Sequence, residues 1–281
     1  MKPSFFVLGN PRSGTSVLRL ALSAHSGMCI PPECGFALWL TERFADASFP
    51  DDLDSFVEAV VDCRKFETWE LTADQIKAES MFGEVTDFAS ACGMVYRAFA
   101  RVRRKEDALL GDKNNFYTEY VEKIVRHFPD SRVIWITRDP RDVLCSYREL
   151  KSRNIDSKYA PNLEQNAKGF AEEWGSNDGF RSQAERLFGS GFHSLRYEDL
   201  VTDPVSTLTA ACDHLGLPFE ERMLRFYENS DEPAEFLKWK ERTKGPFDVS
   251  RIGRFREDLP NEMTEQVEAV LRSEMEAHGY L

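Results

Sequence analysis

The chain has no apolar run approaching the ~20 residues needed to cross a bilayer, so it offers no membrane span. Paired cysteines are also lacking. Cys29, Cys34, Cys63, Cys92, Cys145 and Cys212 are scattered without C-x-x-C or zinc spacing, and reduced thiols are expected. His25, His127, His193, His214 and His278 show no metal-ligand spacing. There is no H-E-x-x-H, no Ser/His/Asp constellation and no acidic metal cluster, so the histidines are expected to be structural and no metal is expected. Positive charge is scarce: 36 Lys and Arg against 48 Asp and Glu leave a formal net charge of −12, which argues against bulk nucleic-acid binding. A protein of this sign that binds an anion must gather its cations locally.

The 281 residues suffice for one large α/β domain. With no internal repeat, low-complexity tract or obvious linker, residues 1–281 are expected to form one domain. The first strand is expected from about residue 4, which leaves no room for a secretion signal before it, and a cytoplasmic protein is the expectation.

Against these absences, Gly9-Asn10-Pro11-Arg12-Ser13-Gly14-Thr15-Ser16 has the spacing of a phosphate-binding loop, with Thr15 where G-x-x-x-x-G-K-[ST] requires lysine. Ser4 to Leu8 is a short apolar run, and Val17, Leu18, Leu20, Ala21 and Leu22 recur at helical spacing, so the loop joins a buried strand to a helix. Backbone N–H groups of Ser13 to Ser16 would face an anion at the helix start, and Arg12 adds a planar cation suited to phosphate or sulfate. The alternative is a Gly-rich turn that merely starts a helix.

Arg132 to Thr137 reads as a buried parallel strand, and Pro140 is placed to open the following helix. Arg138 then sits at the strand's carboxyl end, the edge where open parallel sheets bind ligands, with Ser146 about two helical turns on. Alternatively, Arg138 pairs with Asp139 or Asp142 and Ser146 is an ordinary surface residue. Further strands are expected at Ala108 to Lys113 and Gly191 to Tyr197, each followed by a helical pattern, Tyr117 to His127 and Pro204 to Leu215. Amphipathic helical stretches fill 54–105 and 162–188, with Phe82, Phe88 and Phe99 as core. Thr264 to His278 reads as a terminal helix, and 229–250 as surface cover or a lid. The expected fold is α/β: a central parallel sheet with helices on both faces and a mostly helical insertion.

The segments Pro11 to Ser16, Arg138-Asp139-Pro140-Arg141-Asp142-Val143 with Ser146, Arg196-Tyr197-Glu198-Asp199-Leu200 and Ser250-Arg251-Ile252-Gly253-Arg254-Phe255 together resemble the signature segments of sulfotransferases. That family has a fold like the P-loop nucleoside triphosphate hydrolases and uses 3′-phosphoadenosine 5′-phosphosulfate, PAPS. The resemblance implies that Arg12, Ser13, Gly14, Thr15 and Ser16 hold the 5′-phosphosulfate, and that Arg138 and Ser146 bind the 3′-phosphate. Tyr197, Ser250 and Arg254 would touch the adenosine or its phosphates. It also accounts for the missing lysine, since PAPS has no Mg-bound triphosphate tail.

Sulfuryl transfer to a hydroxyl or amine needs a general base. Glu33, in the loop Ile30 to Gly35, resembles in position the catalytic glutamate of tyrosylprotein and some carbohydrate sulfotransferases. Many small-molecule sulfotransferases instead carry a histidine shortly after a lysine, and Asp112-Lys113-Asn114-Asn115-Phe116 has only the lysine. Lys113 and Arg12 would stabilise the leaving phosphate oxygen and the sulfuryl oxygens. As alternatives, Glu33 caps the helix near Gly35 and Lys113 is a solvated loop cation. The acceptor, whether small molecule, lipid, carbohydrate or protein tyrosine, and the oligomeric state are left open. The competing functional readings are a P-loop kinase or NTPase-like phosphotransferase and a catalytically idle nucleotide-binding scaffold.

Overall fold

The computed structural model describes residues 2–281. Five parallel strands, β1 (Phe5–Gly9), β2 (Met28–Cys29), β3 (Leu109–Lys113), β4 (Arg132–Thr137) and β5 (Phe192–Arg196), lie in the order β2-β3-β1-β4-β5. The central strands are apolar on both faces because helices cover both. Phe6 and Leu8 of β1, with Val133 and Trp135 of β4, pack into one core with the helix Phe88–Val102. The alternate residues Phe5, Val7, Ile134 and Ile136 pack into a second core with the helices Thr15–Ala24 and Pro204–Leu215. Each such fully buried side chain contributes ~1.5–3 kcal/mol relative to exposure.

The chain turns from one side of β1 to the other between β3 and β4. The crevice of an open parallel sheet lies at such a switch, outside the carboxyl ends of the strands. Gly9, Lys113 and Arg138 are all at those ends. Pro140 starts the helix Pro140–Ser152 as expected, with the Asp139 side chain as its cap.

Two expectations need correction. The stretch 54–105 is several shorter helices, Leu53–Val61, Ala73–Ala78 and Phe88–Val102, separated by short turns. Capping boxes restart it locally, Thr72 with Gln75 and Asp87 with Ser90, and Gly83 ends the turn before the second. Within it Phe88 and Phe99 are core, but Phe82 is 66% exposed, its ring covered by the Arg101 guanidinium at 4.2 Å. The segment 229–250 contains the helix Ala234–Lys240 and a tight turn, Glu241–Lys244. No helix among the described residues is long and apolar enough to cross a membrane.

Asp112 is fully buried on β3 and accepts the Tyr96 hydroxyl. Burial pushes its carboxyl up to about 7, although the Tyr96 bond pulls the other way. The folded state therefore holds this proton more tightly than the unfolded chain, and stability from this group falls as pH rises toward the folded value. Asp112→Asn removes the dependence: in urea unfolding its stability relative to wild type should climb from about pH 4 to about pH 7 and then level. A difference independent of pH would contradict the assignment.

Candidate active site

The turn after β1 is built on alternating left-handed residues, Arg12 at φ 68° and Gly14 at φ 96°. This alternation turns successive backbone N–H groups toward one centre. At Gly14 a β-carbon would strike the Tyr197 ring, so the position is restricted to glycine by both backbone and space. Ser13 is fully buried and its hydroxyl has no protein partner. The helix Thr15–Ala24 starts at once, and first-turn N–H groups have no acceptor within their own helix.

Arg138 approaches the same turn from β4. Its Nη1 donates to the Arg12 carbonyl at 3.2 Å, its Nη2 to the Arg251 carbonyl at 2.7 Å, and its guanidinium lies over the Tyr197 ring at 4.2 Å. Neither alternative partner takes it: Asp139 binds Arg141 at 2.7 Å, and Asp142 accepts the backbone N–H groups of Gly253 and Phe255. Ser146 is buried and accepts Arg12 Nε at 3.1 Å. The two expected anion sites therefore adjoin, with the Arg12 side chain lying between them.

The third group is Glu33. The short helix Phe36–Trp39 has no side-chain cap, and Glu33 binds Lys113 through Oε1 and Lys65 through Oε2, the latter at 2.9 Å. Burial alone would raise this carboxyl, but Lys113, Lys240 and Lys65 together hold it well below the usual carboxylate range. Burial lowers Lys113 to about 8, with Glu33 opposing and Lys240 adding to the fall. Lys113 is nearly inaccessible to solvent, so it is no solvated loop cation. Burial and neighbouring Arg138 likewise bring Arg12 down to about 10.

All three groups open on one cavity of about 800 Å³. Its wall holds Arg12, Gly14, Thr15, Ser16, Glu33, Lys113, Arg138, Ser146, Tyr197 and Arg254, and nine Lys and Arg side chains stand there against three Glu. Ser250 is outside the lining and is exposed, its hydroxyl donating to Asp248 at 2.6 Å; Arg251 from the same loop lines the cavity instead. Arg251 and Arg254 are both held by Glu149, at 2.7 and 2.5 Å. Burial would raise Glu149, but Arg254, Arg251 and Arg242 bring it down to about 2.

A model of the sulfotransferase family matches residues 3–221. The chain belongs to that family. No curated protein matches it, but solved structures share the fold. A sulfotransferase domain from the curacin biosynthetic pathway superposes with a TM-score of 0.67 at 21% identity, covering 97% of each chain. A sulfotransferase domain of the Synechococcus PCC 7002 olefin synthase gives 0.62 at 22%, covering 96% of this chain and 94% of its own. A mouse sulfotransferase complexed with PAP gives 0.54 at 12%, covering 98% of this chain and 84% of its own.

The part of this sulfotransferase beyond residue 221 also builds the cavity, through Trp239, Lys240, Arg242, Thr243, Arg251 and Arg254. Lys65, Lys240 and Glu149 stand in no short motif of the sequence, whereas Arg251 lies beside Arg254 within the segment Ser250 to Phe255. Among the described residues no group of three or more His, Cys, Asp and Glu is placed to hold a metal ion.

With lysine side chains isotopically labelled, NMR titration should find Lys113 losing its proton near pH 8. In Glu33→Gln the midpoint should fall further, since the carboxylate raises it. A midpoint near 10.4 would contradict the buried pair.

Proposed function

We propose that this sulfotransferase moves a sulfuryl group from PAPS to a hydroxyl or amine acceptor. The observation that carries the reading is the Glu33–Lys113 pair standing in the same cavity as the phosphate loop, Arg138 and Ser146. A buried donor without a protein partner, Arg138 Nε, belongs to a residue of the cavity wall and supports the fit of a phosphorylated nucleotide. When bound, PAPS supplies an activated sulfur whose bond to a phosphate oxygen is ready to break.

Ser13 to Ser16 and Arg12 would hold the 5′-phosphosulfate. Arg138 and Ser146, with Arg251 and Arg254 beside them, would hold the 3′-phosphate, and Tyr197 supports Arg138 through its ring. Glu33 accepts the acceptor's proton while the acceptor oxygen or nitrogen bonds to sulfur. The sulfur–oxygen bond to the 5′-phosphate breaks, its electron pair stays on the phosphate oxygen, and Lys113 donates a hydrogen bond there. Turning Lys113 from Glu33 to that oxygen also removes from Glu33 its strongest opposing charge, making it a better base at the moment it is needed. The whole of 1–281 would act as one catalytic unit.

A second reading, an idle nucleotide-binding scaffold, draws on Glu33 being tied by both lysines. Transfer from radiolabelled PAPS into a panel of alcohols, phenols, sugars and amines separates the two. Under the catalytic reading Glu33→Ala spares PAP binding and loses roughly 10²–10⁴ in turnover. Arg138→Ala mainly weakens PAP binding, by ~1.5–3 kcal/mol. Binding of PAP with no transfer to any acceptor would favour the scaffold, and preference for ATP with Mg²⁺ over PAP would favour a phosphotransferase.

The protonation state of Lys113 gives a pH signature. Because kcat/KM reports the free enzyme, it should fall above pH ~8 as Lys113 loses its proton, and Lys113→Arg should move that limb upward. An unmoved limb would remove Lys113 from the role.

A further inference from the structure

Thr15 leaves the phosphate loop without its ammonium group, and Arg12 turns its guanidinium toward Ser146 Oγ at 3.1 Å and the Trp239 carbonyl at 3.2 Å. A cation does reach the cavity from beyond residue 221. We propose that Lys240 is a catalytic residue that hydrogen-bonds the non-bridging oxygens of the transferring sulfuryl group, and that Glu232 positions it. This deepens the sulfuryl-transfer reading and rests on it.

The Lys240 side chain is 7% exposed and its Nζ donates to Glu232 Oε1 at 2.6 Å. A lysine ammonium has three donors, and that bond uses one. Glu232, itself buried, accepts Arg19 Nη2 at 2.8 Å on its other oxygen. Arg19 belongs to the helix that leaves the phosphate loop, and its Nη1 donates to the Ile30 carbonyl at 2.9 Å, where the loop carrying Glu33 begins. One carboxylate thus ties Lys240 to both the anion loop and the loop of the base. Burial would raise that carboxyl, but Lys240, Arg19 and Lys113 bring it down to about 2, so it stays ionised across the working range.

The surroundings fix Lys240 near the reacting centre. The Phe236 ring carries two ammonium groups, Lys240 at 4.8 Å and Lys65 at 5.3 Å, and Lys65 is one of the two lysines bonded to Glu33. Lys240 also acts electrostatically on both Glu33 and Lys113. In-line transfer places sulfur between the acceptor atom at Glu33 and the phosphate oxygen at Lys113, so Lys240, which lines the same cavity and shares the Phe236 ring with Lys65, would face the sulfuryl oxygens. Buried Lys113 and Lys240 and half-buried Lys65 repel one another, and a bound anion relieves that repulsion. If Lys240 served only to staple the segment 229–244, its charge would not distinguish ligands with and without the sulfuryl group.

Calorimetric titration of the full chain with PAP and with PAPS reads that distinction. Lys240→Met should weaken PAPS by about tenfold or more while changing PAP by less than about threefold. Lys240→Arg should recover most of the PAPS affinity, and Glu232→Gln should lose PAPS selectivity in the same direction but by less. Equal losses for both ligands, or no loss of either, overturn the role of Lys240 and leave nucleotide binding standing. Failure of the wild type to bind either ligand overturns both readings. Should Lys240→Met not fold, the PAPS-to-PAP ratio of Glu232→Gln decides by the same criterion.

Discussion

Crowding of like charge is the constraint on which this site depends. A chain with formal net charge −12 places nine cationic side chains around one cavity at the carboxyl edge of its sheet. Several are buried, where an unpaired charge is expensive, so each needs a carboxylate or carbonyl to hold it. Glu33 holds Lys113 and Lys65, Glu232 holds Lys240 and Arg19, and Glu149 holds Arg251 and Arg254. Backbone carbonyls of Arg12 and Arg251 serve Arg138. The carboxylates compensate part of the repulsion; an arriving polyanion would compensate the rest.

That arrangement links stability to chemistry. Most donors of the cavity are held by carboxylates and carbonyls beforehand, so the proposed chemistry asks only Lys113 to exchange its partner as negative charge develops on a leaving oxygen, and electrostatic catalysis gains most from such preorganisation. The same packing makes Lys113 easier to deprotonate and Glu33 harder to protonate than in water. Burial drives the Lys113 shift against Glu33, and the neighbouring lysines drive the Glu33 shift against burial, so exchange of a partner during binding changes the acid and base strengths together.

The fold was legible where it is local and periodic. The apolar runs of β1 and β4, the proline opening Pro140–Ser152 and the loop glycines each state their structure within a few residues. The breaks in the stretch 54–105 are hard to read from sequence because capping boxes and one glycine make them inside an otherwise helical pattern. Of the site, the residues in motifs, Arg12, Arg138, Ser146 and Arg254, come together as expected. Ser250 does not, since its hydroxyl is used by Asp248 two residues away. Lys65, Lys240 and Glu232 were illegible because their meaning is pairwise: a lysine in a surface-like segment becomes a site residue only when folding sets a distant carboxylate beside it.

The account stands or falls on one cavity receiving both ends of a doubly phosphorylated adenosine, and a crystal structure with PAP bound tests it most directly. The expected result places the 5′-phosphate on the backbone N–H groups of Ser13 to Ser16 and the 3′-phosphate against Arg138 and Ser146, leaving open space between Glu33, Lys113 and the 5′-phosphate. Either phosphate bound elsewhere, or a 5′-phosphate pointing away from Glu33, would contradict it.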